Sequence, residues 1–194
     1  MLTAREKTSI NKELKAITEE YKRSYQILQQ KSEAKYKTTL RPGEVFHKRD
    51  GFYYEEDRRE FQDICNKLSA KAHELVDSVA TSLTEQNTAA PSTEAANVVM
   101  LMSARKDVSA DEIDQLMTRY GHDCPMVYRA LYEKAQSLGY HDFKQHPITE
   151  DADNVNALIT SIDRTFQAQS AEHSLVISAA AFDATTDAAF PATE

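Results

Sequence analysis

One stripe decides most of what this chain can be. Ile10, Leu14, Ile17, Tyr21, Tyr25 and Leu28 recur at steps of 4, 3, 4, 4 and 3. That spacing puts side chains on one face of an α-helix, whereas a strand repeats every two residues. Thr3-Ala-Arg-Glu6 stands just before it as a capping box, in which the Thr oxygen accepts an orphan N–H and Glu6 reaches back. No Pro or Gly interrupts the pattern before Pro42-Gly43. The pattern predicts a helix over about residues 4–40, roughly 55 Å long at 1.5 Å per residue. A second stripe, Phe61, Ile64, Leu68, Ala72, Leu75, Val79 and Leu83, predicts another helix over about 53–86, with 41–51 as the loop between them. Two one-striped helices on a short loop predict an antiparallel helical hairpin. Residues 1–50 carry 12 Lys/Arg against 7 Asp/Glu, and residues 51–86 carry 4 against 8, so the pairing is also favoured by charge.

Gln86-Asn-Thr-Ala-Ala-Pro-Ser-Thr93 reads as a linker over 87–93, and the domain boundary is expected there. A compact unit of three or four helices follows over 94–169. Ser92 or Thr93 can cap a short helix holding Val98 to Met102, and Ser109-Ala-Asp-Glu112 is a second capping box that opens a helix ended by Gly121. Pro125 suits the first turn of the next helix, and Val155, Leu158, Ile159, Ile162 and Phe166 mark a last one over about 150–168. Residues 170–194 have no Lys or Arg, and are rich in Ala, Ser and Thr. They are expected to form a loosely structured tail that docks on a partner through Leu175, Ile177, Phe182 and Phe190. The fold class read from the sequence is therefore all-α: hairpin, compact unit and tail.

Composition narrows the chemistry. Four glycines in 194 residues is far below the usual share of about 7%. Phosphate-cradling loops, dinucleotide fingerprints and multi-hairpin β folds need glycine at fixed places, because it reaches positive φ cheaply. No apolar run approaches the roughly 20 residues of a spanning helix, and the opening Met-Leu-Thr-Ala-Arg-Glu-Lys turns charged at once. A chain kept in a cytosol, with Cys65 and Cys124 as free thiols, is the expectation.

Three clusters could carry chemistry. His122, Cys124, His141 and His146 are types that zinc accepts, but their spacing matches no zinc signature, and loop residues are expected there. Cys124 at a helix start with His122 nearby could make a nucleophile pair, yet no orienting group accompanies them. No catalytic residue, metal or cofactor is assigned. Phe46, His47, Lys48, Arg49, Phe52, Tyr53 and Tyr54 interleave cations with aromatics at the hairpin tip. Such a set can bind nucleic acid through phosphates and stacked bases, but the acidic run Glu55-Glu56-Asp57 opposes that. As a protein-docking tip, with Phe46, Arg49, Phe52, Tyr53 and Tyr54 as contacts, it fits better, since exposed Tyr, Phe and Arg anchor interfaces.

The opening Met1 to Lys7, the charged hairpin, and the segments Leu116-Met-Thr-Arg-Tyr-Gly121 and Arg129-Ala-Leu-Tyr-Glu-Lys-Ala135 resemble small helical proteins encoded among the head genes of tailed phages of Firmicutes. The resemblance covers about two-thirds of the chain and leaves out the tail. It implies a non-enzymatic role in virion assembly, scaffolding-like or head-associated, acting through protein contacts as a homo-oligomer on capsid or other virion subunits. A host-protein inhibitor or adaptor with an acidic helical surface is the alternative reading. A nucleic-acid binder using residues 1–50 is the third. The expected location is host cytoplasm or virion.

Overall fold

The computed structural model describes residues 3–192. Their regular structure is seven α-helices and one π-helical turn, and no strand occurs among them. The helices are α1 (Ala4–Thr39), α2 (Glu55–Asn87), α3 (Thr93–Ala104), α4 (Ala110–Leu116), α5 (Pro125–Ser137), α6 (Pro147–Thr165) and α7 (Ala168–Ala189), with the π turn at Met117–Gly121. The all-α expectation holds at that level. Among the described residues no helix is long and apolar enough to cross a membrane.

Two compact units divide the chain, one made of residues 1–78 and 154–194, the other of 79–153. The division falls within α2, between Ser78 and Val79, and within α6, between Asp153 and Asn154.

In the first unit the α1 stripe is buried from its second position on: Leu14, Ile17, Tyr21, Tyr25 and Leu28 are inside, while Ile10 is half-buried. The capping box at Thr3 and Glu6 is formed. On α2 the buried line is Phe61, Cys65, Leu68, Ala72 and Val76, so Ile64 and Leu75 of the predicted stripe are only half-buried and their neighbours take the centre. The shift has a packing cause: Phe61 touches Tyr21 (5.6 Å between centroids), Tyr25 (5.3 Å) and Phe52 (5.5 Å). The thiol of Cys65 is small enough to lie beside such large rings, and burial pushes its pKa up to about 12.

The expected tail is instead the helix α7, packed on α1. Phe182 and Phe190 are fully buried, with Ala171, Ala179, Thr186 and Ala189, and Phe182 meets Phe166 edge-on at 5.1 Å. Leu175 is half-buried, and Ile177 faces solvent. The stripe is helical, but it is built largely of Ala and Thr, so a search for large side chains passes over it. Polar contacts fix its register. The Asn11 amide donates to Asp187 (2.9 Å) and to the Phe190 carbonyl (2.7 Å), while Lys15 pairs with Asp187 at 2.7 Å. The Lys15 bond, then the Asn11 bond, hold the Asp187 carboxyl below the usual carboxylate range. Ser174 departs from helical geometry, and its hydroxyl accepts the Ile177 N–H (3.3 Å), capping the second half of α7.

The second unit has its own core of Ala95, Met102, Val108, Ile113, Met117, Val127, Leu131 and Ala135. Ser92 and Ser109 cap α3 and α4, each accepting a backbone N–H at 3.2 Å. Gly121, the buried end of the π turn, lies where an added Cβ would come within 3.1 Å of the Tyr128 backbone. Glycine is therefore required there by the close approach of α5.

Because α7 belongs to the core, Phe182→Ala should cost about 3–5 kcal/mol, and ending the chain after Gln167 should lower the melting temperature by many degrees. Urea and thermal melts followed by circular dichroism check both. A truncated chain as stable as the intact one would mean that α7 adds nothing to the fold.

Candidate functional site

The loop between α1 and α2 is a knot of rings under a fringe of cations. Tyr36, on the last turn of α1, stacks on Tyr53 with centroids 4.5 Å apart and planes within 16°. Phe46 closes on Tyr36 (6.4 Å) and Tyr53 (5.9 Å). Three cations lie over the rings: Lys35 over Tyr54, Lys37 over Phe46 (both 4.4 Å) and Arg49 over Tyr53 (4.8 Å). Each such pair holds a charge against an aromatic face and orders both partners. The Tyr53 hydroxyl accepts the Arg49 N–H (3.2 Å) and donates to the His47 carbonyl (3.1 Å), which pins the loop to its own stack.

The structure thus brings together Phe46, Arg49, Tyr53 and Tyr54, and separates Phe52. Phe52 is buried against Tyr25 (5.3 Å) and Phe61, so it is a root of the loop and not a contact residue. Sequence reasoning missed Lys35, Tyr36 and Lys37, although the step of four continues from Leu28 through Ser32 to Tyr36. Ser32 is buried and its hydroxyl accepts the Tyr53 N–H (3.0 Å), which explains a small polar residue on the stripe. Val45 was missed too; it is 72% exposed, in a stretch where Arg41, Lys48 and Arg49, and also Glu44 and Asp50, are exposed.

The base of the loop is latched to α7. Glu172 accepts the Phe52 N–H (3.3 Å) and the Arg58 Nε–H (3.1 Å). Gly51 has φ +93°, and a Cβ there would sit 2.9 Å from a Glu172 oxygen, so a side chain is excluded twice over. The Glu172 hydrogen bond raises the Arg58 guanidinium further above its ordinary value. The acidic run is turned to internal use as well: Glu55 pairs with Arg58 (3.1 Å) and Arg59 (3.7 Å), Glu56 with Lys35, and Asp57 is buried.

The His/Cys set does not converge. Among the described residues no group of three or more His, Cys, Asp or Glu side chains could hold a metal ion. His146 is buried, and its Nδ1 accepts the Ile148 N–H (3.2 Å), which leaves the proton on Nε2 to donate to the His122 carbonyl (3.3 Å). One ring nitrogen thus serves the start of α6 and the other the chain just after the π turn. His141 donates to Gln136 (2.7 Å), His122 is exposed, and the Cys124 thiol contacts the Ala89 carbonyl at 3.7 Å.

A titrating clamp lies outside these clusters. His73 on α2 bonds Asp163 of α6 (3.0 Å) and Asp77 (3.2 Å). Burial draws its pKa down, but the hydrogen bonds to Asp163 and then Asp77, with their charges, outweigh it and leave the pKa raised. A raised folded pKa gives stability that is fully present below the unfolded value of about 6.5 and fades as pH rises through the folded one. The gap in melting temperature between the wild type and His73→Gln should therefore be widest near pH 6 and close above pH 8. A gap that is flat across that range would refute the clamp.

Treatment with EDTA should leave helicity and melting unchanged, whereas His146→Ala should cost about 1 kcal/mol, the usual value of a helix cap. Elemental analysis finding stoichiometric zinc would reverse that assignment. No protein-family model, curated protein or solved structure matches the chain.

Proposed function

We propose that this chain is a non-enzymatic protein-binding protein that engages an acidic partner surface through the loop 41–54. The carrying observation is the division of labour in that loop: Tyr36, Phe46 and Tyr53 spend their faces on one another. Val45 is left exposed in a stretch whose exposed charged side chains are Arg41, Lys48 and Arg49 against Glu44 and Asp50, a small excess of cations. A preordered knob of this kind loses little side-chain freedom on docking, which favours binding. The reading takes α1, the loop and α2 as an antiparallel hairpin that projects the knob. Contacts of Lys35 with Glu56, Lys31 with Glu60 and Tyr21 with Phe61 support that order. With the likeness of residues 1–7 and 116–135 to head-gene proteins of tailed phages, the setting is virion assembly, in the host cytoplasm or the particle, and capsid or other virion subunits are the partners.

A photo-crosslinking residue placed at Val45 in the full chain should join it to one acidic protein of the assembling particle. The double variant Lys48→Glu/Arg49→Glu should lose that adduct more than tenfold with an unchanged circular dichroism spectrum. Adducts to nucleic acid that weaken steeply with salt would move the loop to a phosphate-binding role. Adducts that the charge reversal leaves intact would refute the reading.

A further inference from the structure

The root of the loop is held from two sides. The Phe52 N–H goes to Glu172 Oε1 on α7 (3.3 Å), which also takes the Arg58 Nε–H (3.1 Å). The next N–H along, that of Tyr53, goes to the Ser32 hydroxyl on α1 (3.0 Å). Two successive amides are thus fixed by two different helices. The Phe52 ring is buried against Tyr25 and Phe61, so backbone and side chain are set together at this point. Tyr53 then passes the constraint outward. Its ring stacks on Tyr36 and meets Phe46, its hydroxyl holds the Arg49 amide, and its face carries the Arg49 guanidinium. Glu172 is fitted closely to its place: its side chain is only 14% exposed, and a Cβ on Gly51 would press on its carboxylate. Without it, the part-buried Phe52 N–H would lose its acceptor, which is costly away from water.

We infer that the start of α7 regulates the loop: Glu172 is its positioning residue, and the loop keeps its binding shape only while residues 168–173 are docked. This deepens the reading of the loop as a partner-binding site and rests on it. The build of α7 suits the role. Ser174 departs from helical geometry and divides the helix into two runs. The first run has anchors of its own. The Ala168 N–H donates to Gln62 (3.0 Å), the Gln167 carbonyl just before it accepts the Tyr21 hydroxyl (3.4 Å), and Ala171 is buried. The second run carries Phe182 and Phe190 into the core. The grip on the loop and the main apolar anchorage of α7 thus lie on opposite sides of the break. Coupling of this kind is reciprocal by thermodynamic necessity. A partner that binds the ordered loop tightens the start of α7, and anything that displaces the start of α7 weakens binding at the loop.

NMR of the full chain tests this with no partner present. Glu172→Ala should speed exchange of the Tyr53 amide about tenfold or more. It should also move the Phe46 ring signals towards those of an unstacked ring, although the Tyr53 amide bonds to Ser32 and Phe46 packs on Tyr36 and Tyr53. Glu172→Gln keeps an oxygen that can accept both bonds, and should restore most of the protection. Leu68→Ala, a loss of buried volume further along α2, should leave the Phe46 signals in place. In the opposite direction, Gly51→Ala should speed exchange of the Ala171 amide. A Tyr53 amide and Phe46 ring unchanged in Glu172→Ala overturn the inference. So does a loop disturbed equally by Leu68→Ala, or an Ala171 amide indifferent to Gly51→Ala. The Val45 crosslink judges the binding reading separately: a wild type without adducts defeats that reading, while the exchange rates still decide the coupling.

Discussion

Six aromatic rings hold the first unit together. Phe182 on α7 meets Phe166, Phe166 meets Tyr21 on α1 at 5.4 Å, and Tyr21 and Tyr25 meet Phe61 on α2. Phe52, at the root of the loop, touches both Tyr25 and Phe61. Every segment of that unit contributes a ring to this one chain of contacts. Edge-on and tilted aromatic pairs add about 0.5–1.5 kcal/mol each beyond the area they bury. More important, a planar ring accepts few orientations among others, so the cluster sets angles as well as distances. The loop begins where those rings stop.

The sequence displays the parts of this arrangement that rely on large side chains at a helical step. The stripe of α1 from Leu14 on, the capping box at Thr3 and the caps at Ser92 and Ser109 fall in that class; of the second expected box, the Ser109 cap forms. Two kinds of feature escape such reading. Where small residues do the packing, as Ala171, Ala179 and Thr186 do on α7, periodicity scores weakly although the burial is complete. Where a ring decides the centre of a face, register shifts by one position. Beside Phe61, Cys65 takes the centre from Ile64; further along α2, Val76 is buried and Leu75 only half-buried.

The loop tells the same lesson for function. Its residue types were readable as a cationic and aromatic set, but their roles depended on partners brought from elsewhere. Phe52 went to the core, while Tyr36 and Lys35 came in from α1, and Glu172 reached the loop base from 120 residues away. The four metal-capable side chains followed the opposite course. They are near in sequence, yet His146 satisfies two backbone groups and His141 a glutamine, which is work that loop residues near helix ends commonly take.

Charge placement links the loop to folding itself. Lys15, Lys22 and Arg58 each take an acid from α7, so the excess of cations in residues 1–50 is partly consumed inside the unit. What it leaves exposed is concentrated near Arg41, Lys48 and Arg49 in the loop. The same pairings draw Glu172 and Asp183 inward, while Asp187 stays 52% exposed beside Lys15. One set of ion pairs therefore ties α7 to α1 and α2 in a chain whose net charge is −8. Exposed pairs of this kind contribute about a kcal/mol or less to stability. Their larger effect is on what the surface offers to other molecules.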